Sequence, residues 1–190
     1  DPLFVKEKMV EDLKKLVEVQ TSFYGVNPNQ EYLFIVITHE NGGGGLEHAN
    51  STTLIVNRLS LATVSGYKRF LSLCAHEYYH LWNVKRLRPE SLGPFDYSNE
   101  NYTEMLWVME GFTSYFGAMT LYLMGQNDSA SFLSGINKGI KNSYNKKSAE
   151  VQSLSNASFD AWIKAYQPDE NYINTTISYY SEGKSMAALM

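Results

Sequence analysis

The chain of 190 residues has a single cysteine and four histidines, and it has neither a long apolar run nor a block of basic residues. The lone thiol, Cys74, cannot form an internal disulfide, and its apolar neighbours predict a small buried side chain. A transmembrane helix needs about eighteen consecutive apolar residues, which the chain lacks, and no signal-peptide pattern is present. A net charge of -4 without a basic patch argues against nucleic acid or an acidic membrane surface as partner. This charge is compatible with peptide substrates.

The chain is 44% hydrophobic and 14% aromatic. This is enough apolar material for one well-packed core and too little chain for two independent ones, so we expect residues 1–190 to form one domain. The chain starts without methionine, and a helical pattern stops at its other end without a capping residue. Both features suggest an excised part of a longer protein, and neither compartment nor oligomeric state is predicted.

Hydrophobic spacing predicts an amphipathic helix over residues 4–24, followed by strand-like runs at 32–38 and 52–56. A glycine-rich loop is predicted between the two strands, at residues 39–51. Two helices that are apolar nearly all round are predicted at 67–84 and 102–124, and weaker ones at 129–144, 159–166 and 177–190. This order predicts an α+β fold that is mainly helical and has a small β-sheet.

An HExxH string, His76-Glu77-Tyr78-Tyr79-His80, falls in the middle of a predicted helix. Helical spacing of four residues places both imidazoles on one face, where they can share a metal ion, with Glu77 beside them. The alternative is a pair of core histidines hydrogen-bonded to backbone carbonyls. Buried polar groups left unpaired would cost about 1–3 kcal/mol each. The string therefore predicts a zinc site with His76 and His80 as ligands and Glu77 as general base.

A catalytic zinc ion takes three protein ligands, so a third must lie elsewhere. Glu110 is the strongest candidate, because it interrupts an apolar helix that would not carry a carboxylate without a strong partner. Its alternative role is a buried ion pair with Arg86 or Arg88. Thr113 and Ser114, within one turn of Glu110, are candidate hydrogen-bond partners of the ligand.

Five strings of the chain, in order, resemble the glycyl aminopeptidase family of gluzincin metallopeptidases. They are GGLEH at residues 44–48, HEYYHLWNVKRLRP at 76–89, WVMEGFTSYF at 107–116, SFDAWIK at 158–164 and ISYYSEG at 177–183. The resemblance implies a thermolysin-like (zincin) catalytic domain, preceded in the parent protein by a β-rich domain and followed by a PDZ domain. It also implies one zinc ion and removal of amino-terminal residues from peptides, with glycine and other small residues favoured.

The resemblance also implies substrate-binding and catalytic roles for other residues. Glu47 would hold the substrate's α-amino group, and Gly44 and Gly45 would let the backbone approach the peptide closely. Tyr180 would donate a hydrogen bond to the developing oxyanion, with Tyr179 as the alternative for that role. Glu182 departs from the related pattern, which usually has lysine at this position.

Two other functions remain open. In a zinc endopeptidase of the same fold, Glu47 would contact substrate backbone rather than a free amine. A catalytically silent zincin would bind peptides without turnover.

The basic run of Lys85, Arg86 and Arg88 is interpreted as a solvated or ion-paired face, one member of which can meet a substrate carboxylate. We expect Trp82 and Asn83 to pack against and cap the end of the zinc helix.

Overall fold

The computed structural model describes residues 6–190, so the first residues of the predicted helix 4–24, Phe4 and Val5, lie outside the described part. The chain forms two compact units. The first takes the chain up to Lys85 together with Phe116–Ser129, and the second takes Arg86–Tyr115 with Ala130–Met190. The described residues are mainly helical with one small sheet, which confirms the predicted α+β class.

The elements are numbered in chain order. The helices are α1 (Lys6–Tyr24), α2 (Val64–Tyr79), α3 (Leu106–Leu123), α4 (Ser129–Tyr144), α5 (Leu154–Phe159), α6 (Tyr172–Thr175) and α7 (Tyr179–Leu189). The strands are β1 (Leu33–His39), β2 (Gly43–Glu47) and β3 (Ser51–Asn57). Among residues 6–190, no helix has the length and apolar character needed to cross a membrane.

The sheet of the first unit has the order β1-β3-β2, with β1 parallel and β2 antiparallel to β3. The predicted loop at residues 39–51 is therefore wrong in its middle, because Gly43–Glu47 forms an edge strand. Backbone pairing with β3, and not side-chain packing, stabilises this glycine-rich strand. Just before the strand, Gly42 lies so close to β3 that an added Cβ would be 2.6 Å from the backbone of Val56. Glycine runs carry no apolar alternation, so the sequence gives little sign of this strand.

Helix α2 starts one turn before the predicted 67–84 and ends earlier. Thr63 caps its first turn by accepting a hydrogen bond of 3.0 Å from the amide of Gly66. The last helical residue is Tyr79, after which tight turns begin, since Leu81 N–H bonds to the carbonyl of Tyr78. The core of the first unit is built around this helix and includes Leu16, Leu54, Phe70, Leu71, Cys74, Tyr78, Leu81 and Trp82. The prediction that Cys74 is a buried apolar residue is confirmed.

The second unit is helical. Helix α3 begins at Leu106 rather than at the predicted 102, α4 matches the prediction, and α7 begins after the capping residue Ser178. The predicted helix at 159–166 is wrong in detail, because α5 precedes it and Ala161–Ala165 forms a π-helical turn. A small core in this unit contains Ala157, Ala161, Ile177 and Tyr179.

Candidate active site

The two histidines of the HExxH string lie close together in the first unit. Their Nε2 atoms are 3.1 Å apart and their rings are nearly perpendicular. The predicted mid-helix position is wrong, because α2 ends at Tyr79 and His80 is its C-cap residue. His80 keeps helical backbone angles, φ -59° and ψ -15°, so the spacing of four still brings both imidazoles to one face.

The turn after α2 fixes the orientation of His80. Its Nδ1 lies 2.8 Å from the carbonyl oxygen of Asn83. A carbonyl can only accept a hydrogen bond, so Nδ1 carries the hydrogen and the lone pair is on Nε2. The backbone carbonyl of Asn83 thus holds the His80 ring at the end of α2. Trp82 stacks on Tyr24 with ring centroids 4.8 Å apart. The expected capping and packing roles of these two residues are confirmed.

The histidine pair fits a zinc ion. Two nitrogens bound to one tetrahedral zinc at about 2.0–2.1 Å stand roughly 3.3 Å apart, close to the observed spacing. The lone pair of His80 Nε2 is the donor that zinc requires, and a second hydrogen bond that orients a ligating imidazole is usual at such sites. In the first unit, Glu47, Glu77 and His80 also offer ligand atoms within 4.8 Å of one another. The described residues thus include side chains that can hold a metal ion.

Glu77 is 5% exposed and lies against the edge strand β2. A Cβ placed on Gly45 would be 2.5 Å from Cδ and 2.6 Å from Oε1 of Glu77. Glycine at this position therefore leaves the space that the carboxylate occupies. Gly44, next to it, has φ +124°, a backbone conformation that a side chain would strain. The approach of the substrate to these glycines stays a prediction, and Gly45 in addition makes room for Glu77.

Glu47, at the end of β2, forms an ion pair that sequence analysis did not predict. Its Oε1 lies 3.0 Å from Nζ of Lys85, and both side chains are only about a quarter exposed. The expectation that the basic run is ion-paired or solvated is thereby met at Lys85. A partly exposed pair of this kind contributes about 0–1 kcal/mol.

The residue before Lys85 has a strained backbone conformation. Val84 has φ +148°, an unusual conformation for a β-branched residue, of a kind that costs about 1–3 kcal/mol. The amide of Lys85 then donates a hydrogen bond of 3.0 Å to the carbonyl of His80. One turn thus supplies both the carbonyl that orients His80 and the lysine that pairs with Glu47.

The second unit brings Glu110 of α3 together with Tyr180 of α7, whose phenol hydrogen-bonds to the carboxylate. Burial of the hydroxyl raises the pKa of Tyr180, and the negative charge of Glu110 raises it further. The phenol therefore stays protonated and can donate a hydrogen bond. Tyr179 is buried, and its hydroxyl lies 3.4 Å from that of Tyr166.

A crossing of two glycines accounts for the contact between α3 and α7. A Cβ on Gly111 would lie 2.5 Å from Cα of Gly183, and a Cβ on Gly183 would lie 2.4 Å from the carbonyl oxygen of Trp107. The two backbones therefore meet without side chains between them. This approach lies one residue after Glu110 and three after Tyr180, so it limits the distance between these two candidate side chains.

The unexpected Glu182 is buried and pairs with Lys146, Oε1 to Nζ, at 2.8 Å. Lys146 balances the charge of Glu182 within the second unit. The glutamate that stands where the related pattern usually has lysine therefore has its own ion-pair partner. Thr113 is fully buried and donates a hydrogen bond of 2.6 Å to the carbonyl of Met109, one turn earlier on α3.

Comparison with known proteins shows which family the chain resembles. The family model of the M61 glycyl aminopeptidases matches residues 69–186. The crystal structure of an aminopeptidase N family protein from Idiomarina loihiensis is 38% identical in sequence, with a TM-score of 0.89. The match covers 97% of this chain and 32% of that one, so the chain spans about a third of the length of this relative. No curated protein matches the chain.

The chain belongs to the M61 glycyl aminopeptidase family, a family of peptidases. The resemblance to glycyl aminopeptidases stated from the five strings is confirmed.

Proposed function

We propose that the chain is the thermolysin-like catalytic domain of a zinc-dependent aminopeptidase that removes amino-terminal residues from peptides, with glycine or other small residues favoured. The proposed zinc ligands are His76, His80 and Glu110. The proposed general base is Glu77, and Tyr180 is the proposed oxyanion donor. Glu47, with Gly44 and Gly45 beside it, is proposed to bind the amino end of the substrate.

The observation that carries this proposal is the histidine pair. An Nε2 separation of 3.1 Å, with the Nδ1 of His80 bonded to the carbonyl of Asn83, is the arrangement that two ligands of one zinc ion require. A pair of purely structural histidines has no need for a nearly buried carboxylate beside it. Glu77 supplies that carboxylate, and its nearness to His80 supports a catalytic role.

Bound zinc would supply a Lewis acid that polarises the scissile carbonyl and lowers the pKa of water towards about 7. Glu77 accepts the proton of the attacking water and passes it to the leaving amine, so that one carboxylate acts first as base and then as acid. Tyr180 donates a hydrogen bond to the oxygen on which negative charge develops. Glu47 pairs with the substrate's ammonium group and so selects the first peptide bond.

A zinc endopeptidase is the second candidate, and one observation favours it. Glu47 is already paired with Lys85, and a carboxylate neutralised in this way attracts a substrate ammonium less strongly. A silent peptide-binding zincin is the third candidate, and no described residue of the site argues for lost turnover.

The test is Glu77→Gln, assayed on a glycyl peptide and on its acetylated counterpart. The amide has nearly the shape of the carboxylate but cannot accept a proton. We expect zinc content near that of the parent and a loss of at least about 10²-fold in kcat. Turnover within tenfold of the parent would remove Glu77 from the role of base. Equal cleavage of the free and acetylated peptides by the parent protein would favour the endopeptidase.

A further inference from the structure

Lys85 is the feature of the site that the proposed function does not use. Among residues 6–190 it is the cation that pairs with Glu47, and the two charged atoms are 3.0 Å apart. Glu47 in turn offers an oxygen within 4.8 Å of ligand atoms of Glu77 and His80. The ammonium group of Lys85 therefore lies at the edge of the candidate site where the substrate's amino group is proposed to bind.

The position of Lys85 is set by the backbone as well as by the ion pair. Its amide is bonded to the carbonyl of His80, and the preceding residue, Val84, has φ +148°. The turn is thus tied to the end of α2. Only the four-carbon side chain of Lys85 is left to move, and it is 26% exposed.

A lysine side chain and a peptide's amino terminus carry the same functional group, an alkylammonium ion. Both are recognised by a carboxylate through charge and hydrogen bonds of similar strength. A carboxylate that already holds one ammonium binds a second less favourably, because the two cations repel each other across a few ångströms. The pair of Glu47 with Lys85 is weak enough to be displaced, because both side chains are partly in contact with solvent.

We infer that Lys85 is a specificity-determining residue that competes with the substrate's α-ammonium group for Glu47. This inference rests on the proposed function of Glu47 as amino-group anchor. When no substrate is bound, the lysine occupies the anchor. A peptide with a free amino terminus displaces it, and the cost of displacement raises KM without changing the chemistry at the scissile bond.

The test is Lys85→Met in the intact zinc-loaded protein, with kcat and KM measured on a glycyl reporter and on its acetylated form. Methionine keeps much of the length of lysine and removes its charge. We expect KM for the free amine to fall roughly two- to fivefold, the range set by a weak ion pair, with kcat nearly unchanged. KM for the acetylated form should not fall. Lys85→Arg keeps the positive charge, so its KM for the free amine should stay near the parental value.

A second readout does not depend on turnover. The affinity for glycinamide, which has a free amine and no peptide bond to a second residue, is measured by calorimetry and should rise by the same factor in Lys85→Met. Lys14→Met, on the exposed face of α1, removes one positive charge elsewhere and should leave the affinity unchanged. Lys85→Gln provides a second charge-removing variant in case the methionine variant folds poorly.

The variant Glu47→Gln distinguishes the competition by Lys85 from the proposed role of Glu47 as amino-group anchor. If it weakens binding of the free amine but Lys85→Met and Lys85→Gln leave KM unchanged or raise it, the competition is overturned and the anchor stands. If Glu47→Gln affects free and acetylated substrates equally, the anchor itself is wrong, and the inference falls with it. In the double variant Lys85→Met/Glu47→Gln, the gain from removing the lysine should vanish, since no anchor is left to free.

Discussion

Gly45 links the edge strand of the first unit to the proposed general base. A side chain there would occupy the place of the Glu77 carboxylate, at 2.5 to 2.6 Å. The conflict is with the far end of a flexible side chain, so the fold can accept it by moving Glu77. The residue therefore matters for the position of the carboxylate more than for stability.

We expect Gly45→Ala to keep its zinc and a melting temperature near that of the parent, and to lose about 10²-fold in kcat. A displacement of about 1 Å in a catalytic group is enough for such a loss. Gly43→Ala is the matched control on the same strand, because an added Cβ there meets nothing within 4 Å. Steady-state kinetics of the two variants decide the point, and equal kcat values for both would show that Gly45 does not position the base.

At the scale of elements, α7 presents two adjacent tyrosines with different environments. Tyr180 hydrogen-bonds to Glu110, and Tyr179 is buried with its hydroxyl near that of Tyr166. We expect Tyr180→Phe to lose about 10²–10³-fold in kcat, with KM and zinc content retained, because an oxyanion donor acts in the transition state.

Tyr179→Phe is the control for that prediction. It removes a buried hydroxyl and should cost up to about 1 kcal/mol of stability with little effect on kcat. Kinetics together with urea unfolding separate the two outcomes. If Tyr179→Phe shows the loss of kcat and Tyr180→Phe does not, the assignment of the oxyanion donor is off by one residue.

The glycine crossing of α3 and α7 gives a second prediction at this scale. Gly183→Ala would place a Cβ 2.4 Å from the backbone oxygen of Trp107, which cannot move aside without separating the helices. We expect a loss of about 1–3 kcal/mol in unfolding free energy and a lower kcat, since Glu110 and Tyr180 move apart. Gly135→Ala on α4 meets nothing within 4 Å and should instead gain about 0.5–1 kcal/mol. Equal stabilities in denaturant unfolding would contradict a tight crossing.

The sequence predicted those parts of the molecule that local pattern controls. The long helices follow from hydrophobic spacing, and the pairing of His76 with His80 follows from a spacing of four. The end of α2 was not predictable, because the turn after it involves a hydrogen bond from the ring of His80 to the carbonyl of Asn83. Strand β2 was missed for a similar reason, since its order comes from pairing with β3 and not from its own side chains.

Contacts between distant residues were the least predictable. Lys85 is 38 positions from Glu47 in the sequence, and Gly183 is 72 from Gly111. Neither the ion pair nor the crossing has a local signature, although all four residues lie in the strings that carry the family resemblance. Composition and spacing identify the chemical groups, and only the fold decides which of them meet.

At the scale of the whole molecule, the chain corresponds to about a third of its solved relative. The family resemblance predicts a β-rich domain before this chain and a PDZ domain after it, and both remain predictions. Measurements of activity therefore belong on the intact protein that contains residues 1–190, since the proposed activity is that of the whole enzyme.

The central claim is that hydrolysis from the amino terminus depends on one zinc ion. The direct measurement is a titration of the chelator-treated intact protein with zinc, during which cleavage of a glycyl peptide and its acetylated form is followed. We predict that cleavage of the free peptide rises linearly and levels off at one equivalent, that the acetylated peptide stays intact, and that His80→Ala and Glu110→Ala recover no activity. Full cleavage by the metal-free protein, or equal cleavage of both peptides, would contradict the account.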